Sequence, residues 1–254
     1  MAMISDDILK EATARLVERF HPERIILFGS QARGTADRDS DVDLLVIGRY
    51  EGNRHDLATE MSRVLGELPF PRDIIVMTPE EFERDRRIPG MVARPAAREG
   101  QTLYGQPPGR TTDPMSSFDP DILRAVREWL TYADEDLQVA TDLLGSPRRP
   151  YRHVANSAQQ AAEKYLKAYL VFRLVDFPKT HEMKLLLDLC SQHATWADAL
   201  REAEVLTRFA VTPRYPGIGR VVTEAEATRA VELAARVQAA VLAALRAEGM
   251  ELPE

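Results

Sequence analysis

The stretch Leu27-Phe-Gly-Ser-Gln-Ala-Arg-Gly-Thr-Ala-Asp-Arg-Asp-Ser-Asp-Val-Asp-Leu-Leu-Val-Ile47 decides the reading of this chain. It places a Gly-Ser pair, Gly29-Ser30, at the end of the apolar run Arg24-Ile-Ile-Leu-Phe28. A polar loop follows, and then Asp41-Val-Asp43 opens a second apolar run that ends at Ile47. Side chains on a strand alternate faces, so Asp41 and Asp43 point one way and Val42 and Leu44 the other, toward a core. Two like charges side by side repel unless a cation sits between them. Carboxylate oxygens are the ligands Mg²⁺ prefers. A lone Asp-x-Asp would read as a solvated acidic turn. These acids lead into a strand of buried type, where uncompensated charge is costly.

A third acid, Asp73, stands in the run Arg72-Asp-Ile-Ile-Val-Met77. If that strand lies beside the second, Asp73 joins the same cluster. Two metals held there would activate an attacking oxygen and stabilise a leaving pyrophosphate. Gly29 lets the backbone approach a phosphate closely. The Ser30 hydroxyl and N–H, with N–H groups of a helix starting at Gln31, can hold a triphosphate. Arg33 is a second phosphate clamp or else the partner of a surface acid. Ser40 belongs to the same loop, as a phosphate contact or as a residue that caps or shapes the turn.

Working outward, the first hundred residues alternate helix and strand. Ser5 caps a helix with Ile8, Ala12, Leu16 and Phe20 on one face, and His21-Pro22 ends it. A helix over 54–68 follows the second strand. Thr78-Pro79-Glu80-Glu81 is a helix start, with Thr as cap and Pro at the first position. A short helix near 92–99 runs into Gly100-Gln-Thr-Leu-Tyr104. Three short strands with helices between them make a small α+β domain with a mixed sheet.

From Gly105 to Pro120 prolines, glycines and small polar residues interrupt both periodicities. The domain limits expected are 1–105, a linker over 106–117, and 118–250. The second part reads as helix throughout, with segments over 120–144, 152–174, 181–193 (capped by Thr180), 196–209 and from 223 onward. Short connections between such helices imply an all-α antiparallel bundle.

Composition agrees with two ordinary soluble domains. Hydrophobic residues make up 44% and charged residues 29% of 254, and the net charge is −7. That acidity argues against a general nucleic-acid coat, which needs positive charge to displace counterions. The single cysteine, Cys190, rules out an intrachain disulfide and reads as a buried core thiol. No run is long enough to span a bilayer, so no membrane partner is expected. The opening Met-Ala-Met-Ile-Ser-Asp-Asp has neither region of a signal peptide, which makes the cytoplasm the expected compartment.

The pattern Phe28-Gly29-Ser30-x-Ala32-Arg33-Gly34, then Ser40-Asp41-x-Asp43-Leu44, resembles the polymerase-beta-like nucleotidyltransferase superfamily. It is most similar to the minimal nucleotidyltransferases, and the likeness runs over residues 1–105 through Asp73-Ile-Ile-Val and Arg98-Glu-Gly-Gln-Thr-Leu-Tyr104. The resemblance implies Mg²⁺- or Mn²⁺-dependent transfer of a nucleoside monophosphate, AMP from ATP or another NTP, to a hydroxyl acceptor. Protein, an RNA end and a small molecule are all open as acceptors. Asp41, Asp43 and Asp73 would bind metal, Asp73 would also serve as base toward the acceptor, and Gly29, Ser30, Arg33 and Ser40 would meet the nucleotide.

In the helical half, Ala158-Gln-Gln-Ala-Ala-Glu-Lys-Tyr-Leu-Lys-Ala-Tyr-Leu170, Lys179-Thr-His181 and Arg214-Tyr-Pro216 resemble a HEPN domain over about residues 118–247. Gln160, Lys164 and Lys167 fall on one side of a helix, and Glu163 with Lys167 makes an i, i+4 pair. With Lys179, His181 and Arg214 they form a candidate binding or dimer-interface site. A solvated lysine face, or a buried Gln-Glu-Lys network fixing helix register, would explain the same residues. HEPN ribonucleases carry Arg, four to six residues, then His. The one formal match, Arg148 to His153, starts in a Pro-rich linker, and 207–216 holds no His, so ribonuclease chemistry is disfavoured. The layout is similar to kanamycin-nucleotidyltransferase-like enzymes, which leaves an aminoglycoside-like acceptor open. A toxin–antitoxin-derived fusion or a regulatory nucleotide-binding module without turnover is the other alternative. The resemblance implies a homodimer.

Overall fold

A computed structural model describes residues 4–37, 40–109, 115–148, 150–210 and 221–252. The chain divides into two compact units, Met1–Pro114 and Met115–Glu254.

In the first unit, helix α1 (Asp6–Phe20) begins where the Ser5 side chain accepts from the Ile8 N–H. It ends at His21, which takes a left-handed φ of 48° ahead of Pro22. Strand β1 (Arg24–Phe28) passes directly into the single-turn helix α2 (Gly29–Arg33). Strand β2 (Val42–Ile47) pairs antiparallel with β1. Helix α3 (Arg54–Val64), capped by the Asn53 side chain, then crosses to strand β3 (Arg72–Met77), which lies parallel to β2. A parallel neighbour needs such a crossover, and α3 supplies it. Thr78 and Glu81 form a reciprocal capping box that starts α4 (Pro79–Asp85). Helix α5 (Ala93–Glu99) leads to β4 (Gln101–Tyr104), antiparallel to β1. The sheet order is β3-β2-β1-β4.

Three details differ from the sequence-based expectation. A fourth strand is present where 100–104 reads as a tail. β4 is short and only partly covered, so it carries almost no alternating signal. Helix α2 starts at Gly29 rather than Gln31, because the chain turns out of β1 without a spacer. Strand β2 starts at Val42, so Asp41 lies one residue ahead of it.

The two sheet faces have separate cores. Leu27, Val42, Leu44, Val46, Ile74 and Val76 pack under α1 and α3 through Leu9, Leu16 and Met61. Ile26, Phe28, Leu45, Ile47 and Met77 pack on the other face against Phe82, Ala93 and Ala96 of α4 and α5. Strand alternation therefore puts Asp43 and Asp73 on the α4/α5 face, one step beyond Leu45 and Ile75, where the apolar core stops.

The second unit is helical. Its elements are α6 (Pro120–Leu144), α7 (Tyr151–Phe172), α8 (Met183–Ser191), a 3-10 run Thr195–Phe209, and α9 (Glu224–Ala247). Asp119 caps α6 with Pro120 at its first position, and a Thr223/Glu226 capping box starts α9. Helix α7 is buried on almost every side and packs against α6, α8, α9 and the 3-10 run, so it is the hub of the unit. The sequence predicts an ordinary helix over 196–209. The buried residues there are Ala197, Leu200, Ala203, Leu206 and Phe209, every third position. That spacing matches the three residues per turn of a 3-10 helix and would drift around an α-helix. The helix expected over 181–193 is shorter, Met183–Ser191, because Thr180 caps a turn, accepting from the Glu182 N–H at 3.0 Å.

Candidate functional site

The strand registers bring the chemistry-bearing residues of the first unit into one row. Phe28 stands opposite Asp43, and Asp43 stands opposite Asp73. Gly29 follows Phe28 directly with φ of +73°, a conformation open to glycine. A Cβ built on Gly29 would overlap Asp43 Oδ2 and lie 3.0 Å from Asp43 Cγ. The backbone of the Gly-Ser turn is thus pressed against the Asp43 carboxylate. Asp43 is half-buried, whereas Asp41 and Asp73 are exposed. Among the described residues no group of three or more His, Cys, Asp and Glu is gathered as a ready metal nest. The backbone instead sets Asp43 and Asp73 side by side and leaves Asp41 two residues before Asp43, ahead of the strand.

The surrounding candidates are placed as follows. Ser30 is half-buried in the first turn of α2. The side chain of Gln31, to which the sequence assigns no role, is buried, and its Oε1 accepts from the Ile4 N–H at 3.3 Å. It ties α2 to the segment before α1. Arg33 is exposed and pairs with Glu99 of α5 at 3.5 Å. The Ser40 hydroxyl donates to Asp37 Oδ1 at 2.6 Å and accepts from the Asp37 N–H at 2.9 Å. Ser40 therefore closes the loop ahead of Asp41, one of the two roles its position suggests.

Gly29 and Gly34 offer a controlled comparison. Both have positive φ, at +73° and +72°, but a Cβ on Gly34 meets nothing within 4 Å. Gly34→Ala should cost only the left-handed backbone term, about 1–2 kcal/mol. Gly29→Ala should cost clearly more, because Asp43 must also move aside. Urea unfolding of the two variants checks this, and equal losses would mean that the contact with Asp43 does not constrain residue 29.

In the second unit the polar residues of α7 divide into two sets. Gln160 donates to Asn156 Oδ1 at 3.0 Å, and Lys164 pairs with Asp136 of α6. The buried set is Gln159, Glu163 and Lys167. Glu163 accepts from Gln159 Nε2 and from Lys167 Nζ, each at 2.6 Å. His181 Nδ1 lies 3.1 and 3.3 Å from the two oxygens of the same carboxylate. Lys167 also donates to the Thr180 carbonyl at 3.1 Å and lies 5.7 and 5.8 Å from the Trp129 and Phe177 ring centres. A solvated lysine face does not describe Lys167, which is only 8% exposed. Gln159, not Gln160, completes the Gln-Glu-Lys network. Arg214 lies outside the described residues.

Cys190 is buried, and burial pushes its thiol up to about 12. It is a core residue rather than a nucleophile. Among the described residues no helix is long and apolar enough to cross a membrane.

Comparison with known proteins bears on both halves. Residues 8–96 match the nucleotidyltransferase domain model, and residues 126–244 match the HEPN domain model. No curated protein matches the chain. Among solved structures it is similar to TT1696 from Thermus thermophilus, at 30% identity and a TM-score of 0.39 over 46% of this chain and 95% of that one. Residues 8–96 therefore belong to the nucleotidyltransferase-domain family and residues 126–244 to the HEPN-domain family.

Proposed function

We propose that this protein transfers a nucleoside monophosphate, AMP from ATP, to a hydroxyl acceptor in a Mg²⁺-dependent reaction. The observation that carries the reading is the row Gly29, Asp43, Asp73 across three adjacent chain segments, with the Gly29 backbone set against the Asp43 carboxylate. Asp43 and Asp73 offer carboxylate oxygens on neighbouring strands, the donors a hard divalent cation takes. Asp41, Asp43 and Asp73 would hold it. When bound, the metal supplies charge stabilisation at the attacking oxygen and at the leaving pyrophosphate.

The remaining roles belong to the chain itself. Gly29 lets the triphosphate approach the backbone, and the Ser30 hydroxyl and N–H hold it. Arg33 meets a phosphate oxygen, and Ser40 keeps the loop in shape ahead of Asp41. Asp73, the more exposed of the two aligned acids, takes the proton of the acceptor hydroxyl. We place the functional domains at 1–105 and 118–250, joined by 106–117. The HEPN domain contributes a binding surface or a homodimer interface, through residues of α7 and the Lys179–His181 turn. We place the protein in the cytoplasm.

The test is incubation with each α-labelled NTP and Mg²⁺, together with total RNA or an aminoglycoside. Label from ATP on protein, RNA or the small alcohol supports the reading and identifies the acceptor class. Absence of transfer from every NTP contradicts it and supports a binding module without turnover.

A further inference from the structure

We infer that Glu99 is a positioning residue that holds Arg33 in place and competes with nucleotide phosphate for it. The inference rests on the proposed role of the Gly29–Ser30 turn. Arg33 is the last residue of the single-turn helix that starts at Gly29, so its side chain arises within about one turn of the Gly29–Ser30 backbone. Gln31 points inward and fixes the rotation of this helix through its bond to Ile4. Glu99 comes from the last turn of α5, which packs on α2, and its Oε2 lies 3.5 Å from Arg33 Nη1.

The pair is close to half exposed on both sides, at 47% and 52% of the side chains. Such a pair contributes little to stability and is readily exchanged. A guanidinium prefers bidentate contact with phosphate, so an arriving triphosphate outcompetes a single carboxylate. Until then the carboxylate keeps a long, mobile side chain from wandering. Glu99 also contributes a negative charge near a site built for a polyanion, which weakens nucleotide affinity. It therefore sets affinity without touching the reacting atoms.

The experiment is a double-mutant cycle with Glu99→Gln, Arg33→Gln and the double variant. It reads ATP affinity by calorimetry and KM and kcat by label transfer, at low and at high salt. Glu99→Gln should tighten ATP binding and lower KM by about 2–5-fold at low salt, the range of an exposed pair. The gain should shrink at high salt and leave kcat unchanged. In the Arg33→Gln background the same substitution should give a clearly smaller gain. An unchanged KM, or an equal gain with and without Arg33, overturns the inference while leaving the proposed function standing. Loss of ATP binding by the unaltered protein overturns both. Thermal midpoints of the variants show that each is folded.

Discussion

Asp43→Asn should lower nucleotide transfer by about 10³-fold or more, the scale of losing a group that stabilises charge in the transition state. It should do so with almost no change in thermal midpoint. The side chain is the same size and only half-buried, and the strand around it is held by other residues. Leu44 and Val46 on one face, and Leu45 and Ile47 on the other, stay in their cores. Asp56→Asn, an acid in the first turn of α3, is the matched control and should transfer normally. Transfer at the unaltered rate by Asp43→Asn would remove Asp43 from the site. Loss of transfer together with loss of folding would make its role structural.

Glu163→Ala should destabilise the helical unit by about 3–5 kcal/mol, because it strands a buried ammonium. Lys167 would keep its bond to the Thr180 carbonyl but lose its carboxylate, in a setting of two aromatic rings. The turn that carries His181 would lose its His181–Glu163 contact with α7 at the same moment. Replacing both partners, as Glu163→Leu with Lys167→Met, should restore most of the loss, since no charge is then left buried. Denaturant unfolding of the single and double variants measures this. A loss below about 1 kcal/mol for Glu163→Ala would mean that water reaches Lys167, since exposed pairs contribute no more than that.

The two kinds of residue are not equally legible in the sequence. Asp41, Asp43 and the Gly-Ser pair can be read because each sits at a strand end, where local pattern and spacing are enough. The alignment of Asp43 with Asp73 can only be posed as a condition. It depends on β3 lying beside β2, and that is settled by the α3 crossover and the apolar match of Ile74 and Val76 to Leu44 and Val46. The partner of Arg33 is a long-range contact between α2 and α5, and no periodicity announces it. Gln31 is hidden for the same reason, since its use is to meet a backbone N–H 27 residues earlier.

In the helical unit, adjacent glutamines differ by one helical step of about 100°. Gln159 faces the buried carboxylate and Gln160 faces Asn156, a distinction that helix phase alone blurs. The 3-10 run is legible in principle, through its strict spacing of three, but over a single turn that spacing is also compatible with one stripe of an α-helix. Strand β4 leaves no comparable trace.

The most direct test of the central claim is a crystal structure of the protein with Mg²⁺ and a non-hydrolysable ATP analogue. Phosphate oxygens should lie against the Gly29–Ser30 backbone and the Ser30 hydroxyl, with a cation touching both Asp43 and Asp73. A nucleotide bound elsewhere, or a cation held without Asp43, would contradict it.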